Sequence, residues 1–235
     1  WLKANVSYAK NKIIYMDEVV PNEPYMAETG RSTGLTYGYI FDRFLQKDDF
    51  DADGNLKKDE NGRQILPQMA LGTPRPGDAL FKDLNGDGDD KTRFGYAERP
   101  DYVFGFLGGL KWKNFEFSMQ WTAAMNASRI LDGEYRNAFG STNSRMLLKF
   151  LADGRWTEEN PNSRFPRLTF MNKSHYLQTS DLWLMNGSYL RLKTAEISYT
   201  LPQKDFLKKV GIESVRFYCN GYNLLTLFSD LNDID

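Results

Sequence analysis

The chain of 235 residues contains a single cysteine, Cys219, and a single histidine, His175. One thiol excludes an internal disulfide and leaves the redox compartment unread. The pair is also poor material for nucleophilic catalysis, because nothing nearby in sequence activates either residue and Cys219 stands at the apolar parity of a strand-like alternation. No acid and base pair is identifiable elsewhere, so no enzyme is expected. With 30 Lys and Arg against 31 Asp and Glu, the formal charge is −1. That leaves neither the basic excess of a nucleic-acid binder nor an acidic tail. No run approaches the roughly 18 to 20 consecutive apolar residues of a membrane helix, which excludes helical spans but not barrels.

What the chain does have is aromatic residues, at 14%, with 19 glycines and 9 prolines spread among them. This composition suits a sheet-rich protein with many turns. The stretch Asn186 to Pro202 reads as one long strand. Its second half places Ala195, Ile197, Tyr199 and Leu201 on one face and Glu196, Ser198 and Thr200 on the other. Leu190 and Leu192 have the opposite parity, so the pattern slips near Lys193 and Thr194. Either a bulge or a change of environment along the strand accounts for the slip; in the second case it marks where a membrane ends. Residues Leu2, Ala4, Val6 and Tyr8 give another one-sided strand. Tyr102 to Met125 is the best hairpin, with Phe115, Phe117, Met119, Trp121, Ala123 and Met125 on one side and a short connection at Lys113 and Asn114. Val215 to Leu225 alternates in the same way. A further extended run, Leu35 to Gln46, carries Tyr37, Tyr39, Phe41 and Phe44.

Between these strands lie long segments. Residues 47–101 are rich in Asp, Gly, Asn and Pro, and residues 127–180 contain one helical candidate, Ser144 to Ala152, ending at Gly154. The segment after Pro202 is short and polar, with room for a helical turn at Lys204 to Lys209. Long loops at one end of the strands and short ones at the other favour a membrane barrel, whose greasy face meets lipid. A soluble sandwich, whose greasy face meets a core, has the same alternation. The alternatives are an all-β transmembrane barrel and a soluble β-rich module binding calcium and carbohydrate. The direction of the apolar faces discriminates between them.

Several segments occur in the order found in the C-terminal part of the SusC/RagA-like family of TonB-dependent outer-membrane transporters of Bacteroidetes. They are Pro76-Gly77-Asp78 through DLNGDG, the hairpin YVFGFLGGLKWKNFEFSMQW, the loop RWTEENPNSRFPRL, the strand GSYLRLKTAEISYTLP and the final VRFYCNGYNLLTL. The chain resembles that family from about Gly34 onward. The resemblance implies an antiparallel barrel of 22 strands in the outer membrane, of which residues 1–235 form a C-terminal part without the plug. It also implies a SusD-like surface lipoprotein as partner, TonB acting through an N-terminal part not present in this sequence, and oligosaccharide or peptide as substrate. The chain is accordingly expected to be a piece of a longer polypeptide, with strands touching lipid and no nucleic acid as partner.

Two clusters stand out as candidate sites. Asp83, Asn85 and Asp87 with Gly88 match the first half of a calcium loop, whose spacing turns alternate oxygens towards a hard cation. The second half departs, since Phe94 stands where a bidentate Glu belongs, and Asp89 and Asp90 are the substitute oxygen donors. Ca2+ is thus the one candidate cofactor, against the plainer reading of a tight Asp-Gly turn. Arg155, Trp156, Arg164 and Arg167 form an Arg and aromatic cluster suited to substrate or lid contact. The plainer alternative is that they anchor a long loop. His175 is expected at the surface, and Arg216 and Glu196 are expected to pair on the polar faces of adjacent strands.

Overall fold

The computed structural model describes residues 1–67, 72–88, 90–139, 147–170, 177–202, 204–209 and 211–234. In chain order the strands are β1 (Leu2–Tyr8), β2 (Thr36–Gly38), β3 (Phe41–Phe44), β4 (Ala79–Phe81), β5 (Thr92–Phe94), β6 (Tyr102–Trp112), β7 (Phe115–Met125), β8 (Ser128–Ile130), β9 (Leu184–Asn186), β10 (Tyr189–Thr200) and β11 (Arg216–Leu227). Two single-turn helices, α1 (Lys149–Asp153) and α2 (Asp205–Lys209), accompany them. The long strands form one antiparallel sheet in the order β1-β6-β7-β10-β11. The others form three two-stranded ribbons, β2 with β5, β3 with β4 and β8 with β9.

The hairpin read from Tyr102 to Met125 is present with its two-residue turn, and Tyr102 pairs with Met125 at its open end. The α2 turn lies where the sequence allows one. The stretch Asn186 to Pro202 is interrupted at its start, because the Gly187 N–H leaves the strand to donate to Ala127 O at 2.9 Å. The candidate helix at 144–152 shrinks to α1, with Met146 outside the described residues. The aromatic run from Leu35 to Gln46 breaks into β2 and β3, which pair with different partners.

The parity slip is a bulge. Leu192 pairs with Trp121 and Thr194 with Gln120, so Lys193 is an extra residue between consecutive rungs. One inserted residue inverts the parity again, and Leu190 and Leu192 return to the face that carries Ala195, Ile197 and Tyr199. Of the two accounts of the slip, the bulge is the one observed, and the reading of the slip as the mark of a membrane's end is corrected: the apolar face is continuous along β10. β11 bends at the same level, where Tyr222 pairs with Thr194 and Leu225 with Leu192, and Asn223 takes φ +51°. Gly221 makes room for this bend, since a Cβ there lies 2.6 Å from Leu224 Cδ2.

Many large apolar side chains of this sheet are uncovered, while others such as Phe104, Phe106, Trp121 and Leu192 are half-buried. Leu2, Val6, Leu110, Trp112, Phe115, Phe117, Ile197 and Phe217 are all exposed, Leu110 at 67%, and among the buried apolar residues only Ala124 comes from the five long strands. The buried core lies instead in the connecting segments. Tyr39, Phe44, Phe81, Leu131, Leu151, Trp156, Phe165, Leu182, Trp183 and Met185 pack into one cluster there. A face this apolar and this long, left bare while the loops build their own core, is the arrangement of a barrel wall in lipid. It is the opposite of a sandwich, where these strands supply the core.

On the other face, Arg216 meets Glu196 at 2.7 Å, donates to Ser198 Oγ at 2.9 Å and approaches Glu116 at 3.8 Å. The expected pair is present and extends to β7. Arg216 is nearly half exposed, so its truncation has a small cost. Arg216→Ala is expected to lower stability by about 0.5 to 1 kcal/mol, read as a small fall in the denaturation midpoint of the intact protein.

Candidate functional site

The described candidate residues lie in the long connections, where β3, β4 and the segment after α1 hold them. The turn Pro76-Gly77-Asp78 is the centre. Gly77 takes φ +85°, and a Cβ there lies 2.4 Å from the Trp156 ring, so only a glycine lets the backbone lie against that indole. Gly77 N–H donates to Leu45 O at 2.7 Å, and Arg167 N–H to Gly77 O at 3.0 Å. The buried Asp78 carboxylate accepts from Arg167 Nε at 2.7 Å and from the Arg75 N–H at 3.0 Å. Backbone bonds from Trp156 to Phe165 O and from Phe165 to Gly154 O, each 2.8 Å, fold the segment 154–167 into a tight loop over this turn.

The four residues Arg155, Trp156, Arg164 and Arg167 therefore separate into two pairs. Trp156 is buried, with its Nε1 lacking a partner among the described residues, and Arg167 is committed to Asp78. Arg155 and Arg164 are exposed. Arg155 reaches only the Ala152 carbonyl, while Arg164 lies over the Phe165 ring and donates to Leu184 O at 3.2 Å. Asp78, 89 residues from Arg167, is the residue that sequence reasoning missed as a partner. The signal was the apolar context of a lone acid in Pro-Gly-Asp-Ala-Leu-Phe.

The acidic loop is tightly wound. Asp83 Oδ1 accepts from the Gly86 N–H at 2.6 Å, and Asn85 exchanges two bonds with Asp87, at 2.8 and 2.9 Å. Burial pushes the Asp83 carboxyl up, but the N–H groups of Gly86 and Gly88 outweigh it and hold Asp83 below the usual carboxylate range. Asp90 is buried and accepts from the Leu84 and Asn85 N–H groups and from the Tyr25 hydroxyl. Burial and that contact push the Tyr25 phenol above its ordinary value. Carboxylate oxygens of Asp83, Asp87 and Asp90 lie within 4.8 Å of one another. Two oxygens on one Ca2+ at 2.3 to 2.6 Å stand at most about 5 Å apart, so the separation is compatible with one shared ion, although both Asp90 oxygens already accept hydrogen bonds. Asn85 is turned into bonds within the loop, Phe94 is in β5, and Asp89 lies outside the described residues, as does His175.

A third feature braces the same connections. Arg43 makes a two-pronged contact with Asp49, at 2.6 and 2.8 Å. The Arg43 bond holds the Asp49 carboxyl below its ordinary value against the opposing effect of burial, with help from the Gln46 N–H. A lowered folded-state value means that stability is present above the unfolded value near 4 and is lost as pH falls through the folded one. Pepsin cleavage in 47–66 is thus expected to accelerate below about pH 4, and Asp49→Asn is expected to remove that acceleration.

No family model matches the chain. It is 27% identical over 250 residues to TonB-dependent receptor P3 of Formosa agariphila, covering 98% of this chain and 22% of that protein. It is 33% identical over 163 residues to TonB-dependent receptor P26 of the same organism, covering 68% of this chain and 16% of that one. The chain thus spans about a fifth of the length of these curated relatives. In fold it is similar to the RagAB peptide importer in its open-open state, with TM-score 0.60, 21% identity, and coverage of 97% of this chain and 23% of that one. A structure of the RagAB peptide transporter matches with TM-score 0.58 at 20% identity, over 96% of this chain and 23% of that one. No helix among the described residues is long and apolar enough to cross a membrane. Sequence similarity along almost the whole chain, the bare apolar face of the long strands and the shared fold make this chain a stretch of antiparallel β-barrel wall, with its loops, of the TonB-dependent receptors of the bacterial outer membrane.

Proposed function

We propose that the chain is the C-terminal barrel portion of an outer-membrane importer driven through TonB, taking up glycans or peptides together with a SusD-like surface lipoprotein. The observation that carries the reading is the inversion of burial: bare apolar strands beside loops with a closed core of their own. A packed core within the connections supports a role in presenting a surface rather than merely joining strands. Within them, Trp156 and Arg167 hold the loop, and Arg155 and Arg164 are the exposed members that meet lid or substrate. Uptake of labelled oligosaccharide and peptide pools by cells with and without TonB tests the reading. TonB-dependent uptake of neither pool by the full-length protein refutes it. Capture of a surface lipoprotein that weakens in Arg155→Ala with Arg164→Ala supports the lid contact, and undiminished capture removes it.

The acidic loop serves as a structural calcium site in this reading, with Asp83, Asp87 and Asp90 as the ligands. The convergence of their oxygens supports it. Calcium titration by calorimetry is expected to give saturable heat that Asp87→Asn diminishes; absence of heat excludes the site.

A further inference from the structure

A cleft of about 890 Å3 opens between the segment after β1, the residues before β2 and the residues between β5 and β6. Its size is within the range of small-ligand sites. Of its two anions, Glu98 pairs with Arg129 at 3.1 Å, and Asp101 accepts from the neutral amide of Asn126, Nδ2, at 3.3 Å. Its two cations have no such anchors. Lys10 and Arg99 line the cleft, are exposed and have no acidic partner among the described residues. Tyr96 lines the same cleft and is 48% exposed, and its backbone N–H donates to Ser128 Oγ at 2.9 Å. Asn11 also lines the cleft, and its Oδ1 accepts from the Thr33 N–H at 2.7 Å. The cleft therefore offers two positive charges without an acidic partner among the described residues and one amphipathic tyrosine.

We infer that this cleft binds a short acidic oligosaccharide, with Arg99 and Lys10 on its carboxylates and Tyr96 against a sugar ring. A guanidinium gives a carboxylate two parallel hydrogen bonds, and a tyrosine face covers the apolar side of a ring while its hydroxyl stays wet. A neutral sugar leaves both cations unused, and an acidic peptide leaves the ring without a planar partner. The inference rests on the import reading and narrows its substrate class.

The test is binding of oligogalacturonate to the detergent-solubilised full-length protein, beside an uncharged oligosaccharide of equal length and an oligoglutamate. Oligogalacturonate is expected to bind, to weaken with added salt, and to lose about tenfold in affinity in Arg99→Gln and in Lys10→Gln. Tyr96→Ala is expected to weaken it further, while Arg99→Lys keeps most of it. Heat-shifted migration on gels confirms that each variant is a folded barrel. Equal binding of the uncharged sugar, preference for oligoglutamate, or variants that bind like the parent each overturn the inference. TonB-dependent uptake without acidic-sugar binding overturns the cleft alone, whereas binding without TonB-dependent uptake overturns the import reading alone.

Discussion

Asp78→Ala is expected to release the loop 154–167 from the rest of the long connections while leaving the barrel wall in place. Asp78 is 2% exposed and is the carboxylate that Arg167 contacts at 2.7 and 3.4 Å. Arg167 is itself largely buried, at 16% side-chain exposure. Removing one partner of such a pair leaves the other charge desolvated and uncompensated, a loss of about 3 to 5 kcal/mol. The Arg75 N–H loses its acceptor at the same time. A local opening equilibrium shifted by that energy speeds proteolysis of the loop by about a hundredfold to several thousandfold, provided that reclosing is faster than cleavage. Limited trypsinolysis of the intact protein, with cleavage sites read by mass spectrometry, measures this at the exposed Arg155 and Arg164. The pair also predicts strong non-additivity: Asp78→Ala with Arg167→Ala is expected to lose well under the sum of the single changes. Parental cleavage rates in Asp78→Ala would show that the ion pair does not hold the loop.

The second large effect is at Trp183, and it separates the two kinds of tryptophan in this chain. Trp183 is 1% exposed, stacks on Phe165 with centroids 5.8 Å apart, and its carbonyl accepts from the Leu131 N–H at 2.8 Å. Truncation leaves a cavity in a core that cannot close around it, at a cost of about 3 to 5 kcal/mol. Trp183→Ala is thus expected to make residues 127–186 broadly sensitive to protease and to lower the temperature at which that region loses structure. Trp112 is 61% exposed on the sheet, beyond the reach of that core. Trp112→Ala is expected to leave loop proteolysis at the parental rate and to affect insertion into membranes instead, because an indole there sits in the interfacial belt. Equal loop destabilisation by both changes would contradict the division between a lipid-facing wall and a self-packed loop core.

That division explains what can and cannot be read from a single chain. The period-2 alternation of β1, β6, β7, β10 and β11 is local, since each side chain's face depends only on its neighbours, and five long strands were legible on that basis. The Arg216 and Glu196 pair was legible because both residues fall on the polar parity of strands joined by a short connection. The loops gave no such regularity. Their core is assembled from β3, β4, α1, β9 and turns without period, so nothing local showed that Phe44, Phe81, Phe165 and Trp183 pack together.

The sequence by itself determined the strands, the hairpin turn, the spacing of acids at residues 83–90 and the family pattern that these features compose. Only the tertiary structure decided how the slip at Lys193 resolves, that the apolar sheet face is bare, and that the Arg and Trp cluster divides into two buried anchors and two exposed arginines. The physical reason is separation along the chain. Face alternation is fixed within two residues, whereas the pairs Asp78 with Arg167 and Tyr25 with Asp90 join groups 89 and 65 residues apart. A buried charge or hydroxyl finds its partner only after the chain has folded back upon itself.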